Sequence, residues 1–554
     1  MQFTKTLELI FLSLLLSLCS PALYAQKYEA EDAILTGGAA KQTCSACSGG
    51  YAVAQGEGNI AFNVTLPQSG FYTIVVRAAA PNGDKTNILA VNGSPTDFSL
   101  TQANNYSSLK VVHSLKLEAG QHIIEIKKSW GWINLDYLEL EEVDASERFK
   151  LNQALVTPNP IPEAKALFNF LLDQYGKKVI AGAMTLDSMD EAIWLKQQTG
   201  KEPALLGLDF MHSGRGYTWY KDKMPIVDAH NWYSRNGIPA MMWHWRDPSR
   251  STEEFYVQSV SKPGGTEFDI SRIADQNSAE YQAVLQDIDY IAGLLKELQE
   301  QHVPVVWRPL HEAAGGWFWW GAKGPEPLKA LWRLMYERMV NHHGLRNLIW
   351  VWTREPGDEE WYPGDAYVDI VGRDIYRDGD HRSHQIDFGN TNARYGGSKM
   401  VTLSEVGSFP DPDNLLQDGA AWSWFMTWYG GYTRDNNYNT LELWRKTMAH
   451  GYVLTLDEMP QLSTYEREQE LPTGLGDTAS RKRDILAFPT LVTDKLTIRS
   501  KQMLETIAVY NLLGVKLKEQ QASGAEAVVS FEGLPPGVYL VRVNGKHTLR
   551  VLKN

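Results

Sequence analysis

The rhythm of apolar and polar positions changes three times along the chain. From residue 26 to about 144, short alternating or β-rich runs at 60–64, 71–77, 108–117, 122–127 and 133–140 are separated by turns at Gly70, Gly83, Gly93 and Gly120. Several strands at this spacing, with no amphipathic helix between them, predict a β-sandwich. From about 155 to 466 the pattern becomes eight apolar runs, at 178–182, 204–209, 238–244, 303–308, 347–352, 368–372, 400–404 and 424–428. Helical periodicity lies between several of them, most clearly at 189–199, 278–300 and 327–342. Strand and helix alternating eight times predict a (β/α)8 barrel. Beyond about 484 the runs are short again (496–498, 507–510, 528–531, 538–543, 549–552) and predict a small all-β sandwich. The fold expected is therefore multidomain: an N-terminal β-sandwich at 26–144, a TIM barrel at 155–466 and a C-terminal β unit at 484–554. Pro158, Pro160 and Pro162 mark a linker before the barrel.

The barrel assignment gives two acidic residues a meaning. The fourth run leads into Trp307-Arg308-Pro309-Leu310-His311-Glu312, with Trp317, Phe318, Trp319 and Trp320 following. The seventh ends in Ser404-Glu405-Val406-Gly407. Active sites of such barrels lie at the C-terminal ends of the strands. Two carboxyl groups there, one to protonate a leaving oxygen and one to attack or to activate water, suit the cleavage of glycosidic bonds. Of the 19 tryptophans, 17 fall between Trp194 and Trp444, and flat indole faces stack on sugar rings. Trp319, Trp320 and Trp424 are expected in packing. Asp209 and Asp374 also end strands and are placed to support the site, but the sequence assigns them no specific role. His342 and His343 are adjacent on a helix, face different directions and make no metal pair.

Charge and cysteine usage narrow the setting. A formal charge of -13 over 554 residues argues against nucleic acid or anionic lipid as partner. The apolar stretch at 9–18 is too short to span a bilayer, and small residues allow cleavage after Ala22 or Ala25; residues 1–25 read as a signal peptide. Cys19 is preceded by Leu18, which disfavours lipidation. In an exported protein Cys44 and Cys47 predict a small-loop disulfide; zinc would need two more ligands at suitable spacing. No other segment reads as a membrane span, and a monomer is expected.

Three resemblances follow from these motifs. Tyr28-Glu29-Ala30-Glu31-Asp32-Ala33 and Trp130-Gly131-Trp132-Ile133-Asn134-Leu135-Asp136 resemble a carbohydrate-binding module of family 35 or family 6. The resemblance implies a jelly roll whose terminal strands share a structural calcium, with Glu29, Glu31 and Asp136 as acidic ligands and Trp130 and Trp132 as sugar-binding aromatics. The barrel resembles glycoside hydrolase family 26 through Trp307 to Glu312, the stretch 362–376 ending in Arg373-Asp374-Ile375-Tyr376, and Ser404 to Gly407. That implies an endo-β-1,4-mannanase needing no catalytic cofactor, with Glu312 as acid/base and Glu405 as nucleophile. It also implies that His244, His311, Trp317, Tyr376 and Trp428 line the sugar subsites. Some members carry an arginine after the eighth-strand tryptophan; here Tyr429 stands there. The C-terminal unit, through Phe488-Pro489-Thr490 and Leu534-Pro535-Pro536-Gly537-Val538-Tyr539, resembles a type IX secretion sorting domain. It implies that the type IX machinery is a partner and that the protein is secreted or held at the outer cell surface.

From the residues alone, packed core histidines are the lesser alternative for His244 and His311. The activity also leaves room for a β-1,3-xylanase or mixed-linkage β-glucanase on the same barrel, and for an inactive scaffold.

Overall fold

The computed structural model describes residues 25–186, 188–216, 223–467, 485–488, 491–511, 515–535, 537–544 and 547–553. Apart from Ala25, the expected signal peptide lies outside them. The chain divides into two compact units, residues 1–468 and 469–554. Each is described by itself.

The first unit opens with two antiparallel sheets packed face to face. One carries Ala40–Thr43, Tyr51–Ala54, Asn134–Val143, Gly70–Ala80 and Ala103–Leu117 in that order, with Ala25–Glu29 paired to Asn134–Val143. The other orders Ile34–Thr36, Asn59–Leu66, Gly120–Lys127, Lys85–Val91 and Ser94–Leu100. Alternation sets the packing. In Asn59–Leu66, Ile60, Phe62, Val64 and Leu66 are buried, and they meet Ile74, Val76, Leu138 and Leu140 from the other sheet. Cys44 and Cys47 form the expected disulfide.

The barrel follows. Val179–Met184, Leu205–Asp209, Ile238–Met242, Val305–Arg308, Leu348–Thr353, Ile370–Ile375, Met400–Val406 and Trp424–Thr427 pair in parallel, and the first strand closes on both the second and the eighth. Nearly every strand position is buried, which is why these strands read as unbroken apolar runs. The helix Ala279–Glu300 lays Ile288, Ile291, Leu295 and Leu298 on the barrel. The proline segment before the barrel is packed against it rather than free. Val156 N donates to Asp369 Oδ1 at 2.7 Å, Thr157 Oγ1 donates to Leu348 O, and Pro162 opens the helix Pro162–Gln174. The helix expected at 327–342 is α-helical over Pro325–Tyr336 and a π-turn over Glu337–His342.

Sandwich and barrel share an interface built on the helix Gln385–Arg394. Ile386 of that helix is buried within the sandwich core. The Asn390 amide accepts from His113 N at 2.8 Å and donates to Val111 O at 3.1 Å, capping the sandwich strand Ala103–Leu117 at its sheet edge. A side chain at Gly389 would sit 2.1 Å from His113 O, so only glycine permits this approach. Arg148, in the connection, donates to Gly419 O and lies 3.6 Å over the Phe71 ring.

The second unit is a six-stranded sheet. Its long strand Lys495–Asn511 pairs with Ile485–Phe488, Lys516–Ser530 and Gly537–Val543. Register slips between Arg499 and Thr506 let both halves of that strand feed one core, with Leu496, Ile498, Ile507, Val509, Val541 and Val543 in it. Among the described residues no helix is long and apolar enough to cross a membrane.

Candidate active site

Glu312 and Glu405 meet at the C-terminal mouth of the barrel. Together with Asp374 they place carboxylate oxygens within 4.8 Å of one another. Glu405 lies within the seventh strand, and its orientation comes from a bulge. Arg373 of the sixth strand pairs with Leu403, but Asp374 pairs with Glu405, so Ser404 is the extra residue. Bulges of this kind re-aim the next side chain. Gly372 makes room, since a Cβ there would lie 2.2 Å from Ser404 Oγ. Glu312 instead follows the fourth strand on a tight turn, with φ of 51°.

The two carboxyl groups have different partners. Glu405 is buried and wired on both oxygens: Arg308 donates to Oε1, and Tyr376 OH donates to Oε2 at 2.6 Å. Arg308 also donates to Asp374 Oδ2 at 2.9 Å and Thr353 Oγ1 at 3.0 Å, and Ser404 Oγ donates to Asp374 Oδ1 at 2.7 Å. Among the described residues Glu312 receives one hydrogen bond, from Trp317 Nε1 at 3.1 Å. Its pKa follows. Burial first, then the negative charges of Asp374 and Glu405, push Glu312 up to about 9. Burial also raises Glu405, to about 7, while Arg308 and the Tyr376 hydrogen bond work against it. Glu312 therefore keeps its proton at a pH where Glu405 has lost its own.

The histidines sit behind Glu312. His311 Nε2 lies 3.1 Å from His244 Nε2, and Asp209 receives His244 Nδ1 and, at 2.9 Å, His244 N. His311 is 1% exposed, and its Nδ1 is buried without a hydrogen-bond partner among the described residues. Burial first, then His244 and Arg308, hold the His311 imidazole far below its usual range, so it stays neutral. Trp317 and Tyr376 are exposed at the mouth, whereas Trp428 is half-buried and packs near His244. Gly315 lets the Trp317 ring fold back, since a Cβ there would lie 2.1 Å from it. Trp319, Trp320 and Trp424 are buried, as packing residues should be.

Arg308 is the central residue that reading the sequence overlooked. Its signal was present: an arginine at the end of a buried apolar run, inside the motif that leads to Glu312. Tyr256 was overlooked too. It stacks on Phe318 at 5.2 Å beside the mouth.

Two further groups lie on the sandwich. Trp130 and Trp132 are 67% and 50% exposed on one loop. Buried Asn87 holds that loop by accepting from Ser129 N and Gly131 N. Glu29, Glu31 and Asp136 surround the Ser48–Gly50 turn beside the disulfide. Ser48 Oγ donates to Glu29 Oε1 at 2.6 Å and Ser48 N to Asp136 Oδ1 at 2.9 Å, while Asp136 Oδ2 pairs with Arg77. Glu29 Oε2 and Glu31 Oε2 are buried with no hydrogen-bond partner among the described residues. Two orphaned carboxylate oxygens in one turn are a fit for a hard cation. Asp136 is already engaged.

Comparison with known proteins identifies three matched regions. Residues 156–458 match the model of glycosyl hydrolase family 26, residues 26–143 that of carbohydrate binding module family 35, and residues 486–553 that of a secretion system C-terminal sorting domain. The tail makes this an exported protein, secreted or held at the cell surface. A mannan endo-1,4-beta-mannosidase of Thermothelomyces thermophilus is 37% identical over 79% of this chain and 91% of its own length. The crystal structure of a Podospora anserina GH26-CBM35 beta-(1,4)-mannanase is 35% identical, with a TM-score of 0.54 over 79% of this chain and 99% of that one. A ruminal GH26 endo-beta-1,4-mannanase is 27% identical, with a TM-score of 0.65 over 79% of this chain and 98% of that one. The family model covers more than half of the sequence and spans both glutamates: this chain belongs to glycosyl hydrolase family 26.

Proposed function

We propose that this protein is an exported, retaining endo-β-1,4-mannanase acting on mannan, glucomannan or galactomannan. The observation that carries the mechanism is the approach of the Glu312 and Glu405 oxygens to within 4.8 Å. Retaining enzymes hold their carboxyl groups about 5–5.5 Å apart, whereas inverting ones leave about 6.5–9.5 Å for a water. The mannanase relatives support β-mannan over β-1,3-xylan or mixed-linkage β-glucan.

Glu405, ionised between Arg308 and Tyr376, attacks the anomeric carbon. The bond to the leaving sugar breaks as Glu312 gives its proton to that oxygen. Water then attacks the glycosyl-enzyme, Glu312 takes the water's proton, and Glu405 departs as carboxylate. Trp317, Tyr376, Trp428 and His244 line the sugar path, and His311 backs Glu312. No cofactor enters these steps.

The domain bounds we assign are 26–144, 155–466 and 484–554, with residues 1–25 as signal peptide and the type IX machinery as the partner of the tail. The sandwich binds polysaccharide through Trp130 and Trp132. Glu29 and Glu31, with Asp136 beside them, hold a structural calcium that ties the first strand to its neighbours. The protein acts as a monomer.

A reducing-sugar assay on mannan, β-1,3-xylan and mixed-linkage β-glucan tests the substrate, and proton NMR of the first-formed anomer tests the mechanism. Faster release from either competing polymer would overturn the substrate, and an inverted product the mechanism. Glu405→Ala should abolish turnover on every substrate; residual double-displacement activity would displace it as nucleophile.

A further inference from the structure

The turn that presents Glu312 is strained. Leu310 and Glu312 both adopt φ of 51° without being glycine, and His311 lies between them. Such residues are strained and persist only where their surroundings over-determine them.

What over-determines this turn is the anchoring of His311. Its carbonyl accepts from Trp320 Nε1 at 2.9 Å. Its ring meets His244 edge-on at 4.4 Å between centroids and packs on Phe318 at 5.3 Å. The only hydrogen bond its ring makes among the described residues runs to His244 Nε2. His244 in turn is held by Asp209, whose carboxylate accepts from His244 N, His244 Nδ1 and, at 2.8 Å, Met211 N. Burial alone would raise the Asp209 carboxyl, but His244 and these amides bring it below its usual value. Asp209 is thus a carboxylate, His244 Nδ1 carries a proton, and each ring is fixed by the hydrogen bond of the one before it. The three residues come from the ends of the second, third and fourth strands, so the line ties three strands to one turn.

We propose that Asp209 is a positioning residue: through His244 it fixes the His311 ring, and so locks the strained turn that aims the Glu312 carboxyl at the glycosidic oxygen. The inference rests on Glu312 being the acid/base. Asp209 touches no reacting atom, and its effect must appear where proton donation matters most.

The test is kcat/KM of Asp209→Asn, in the full chain, on a manno-oligosaccharide and on a nitrophenyl β-mannobioside. Asparagine keeps the shape but has a single accepting oxygen for three N–H donors. With about 2 kcal/mol lost from a charge-assisted network, the oligosaccharide should react about 30-fold more slowly. The aryl substrate hardly needs an acid and should lose less than about fivefold. Equal losses on both substrates, or none, would overturn the proposal. Glu312→Ala, run alongside, keeps the two readings apart. If it shows no leaving-group dependence, the acid assignment fails; if it does and Asp209→Asn does not, only the role of Asp209 fails. Should Asp209→Asn not fold, proton NMR of the unaltered protein decides. A slowly exchanging, strongly downfield His244 Nδ1–H is expected, and its absence would overturn the proposal.

Discussion

Tyr376 OH donates to Glu405 Oε2 at 2.6 Å, on the oxygen opposite the one Arg308 holds. The hydrogen bond favours the ionised nucleophile and, with Arg308 on the other oxygen, fixes the orientation of the carboxylate. Tyr376→Phe should therefore lower kcat about 10- to 100-fold, the equivalent of about 1.5–3 kcal/mol for a bond to a charged group. The pH dependence has a definite sign. Removing a donor from a carboxylate raises its pKa, so the acid limb of kcat/KM should move to higher pH. An unmoved acid limb would mean that the phenol serves the sugar and not Glu405.

The pKa of Glu312 makes a second prediction, on stability. Its folded value of about 9 lies above the roughly 4.3 of an unfolded glutamate. Below the unfolded value both states are protonated and folding carries no penalty. As pH rises, the unfolded chain releases the proton while the folded one keeps it, and stability falls until the folded value is passed. Glu312→Gln copies the protonated form at every pH. It should raise Tm at pH 7 to 8 and leave it nearly unchanged near pH 4. An equal Tm at pH 7 would place the Glu312 pKa close to normal.

How far the sequence discloses this site can be read from particular residues. The eight barrel strands are legible because both of their faces are buried, so that Val179–Met184 or Leu348–Thr353 shows as a solid apolar run. The edge strand Ser94–Leu100 is not: it buries only Phe98 and Leu100 and carries Pro95. Pro162 reads as linker because a proline that opens a helix has the same local signature as one that prevents it. Glu312 and Glu405 are legible as strand ends. The partners of Arg308, Asp374 and Glu405, lie 66 and 97 residues away, and no local pattern encodes a pairing at that distance. Asp209 shows as a strand end, but its bond to His244 becomes visible only when neighbouring strands are in register.

The docked sandwich changes how its sugar binding must be tested. Removing residues 26–144 would uncover Ile386 and strip Asn390 of both hydrogen bonds to the sandwich. The truncated barrel should melt earlier and lose activity even on soluble substrate, for reasons unrelated to tethering. Trp130→Ala with Trp132→Ala avoids this, because both rings are exposed and Asn87 holds the loop through its backbone. The double variant should keep activity on soluble manno-oligosaccharide within about twofold and bind insoluble mannan at least tenfold more weakly, about 1.4 kcal/mol. Undiminished retention on insoluble mannan in a pull-down would move the binding face elsewhere.

Calcium binding at the sandwich turn should appear as a Tm that depends on the metal. A ligand held only by the folded state stabilises it by about 2.7 kcal/mol at 100 times its Kd, so chelation should lower Tm and added calcium restore it. Glu29→Gln with Glu31→Gln removes charge from the two orphaned oxygens and should abolish the response. Asp136 separates two ways of building the site. As a ligand, its change to Asn should also abolish the calcium response. As the partner of Arg77 and Ser48 N alone, it should lower Tm equally with and without calcium, because the cost is then an uncompensated Arg77 and not a lost cation. The Arg77 contact favours the second outcome. If chelation left the Tm of the unaltered protein unchanged, the turn would hold no cation.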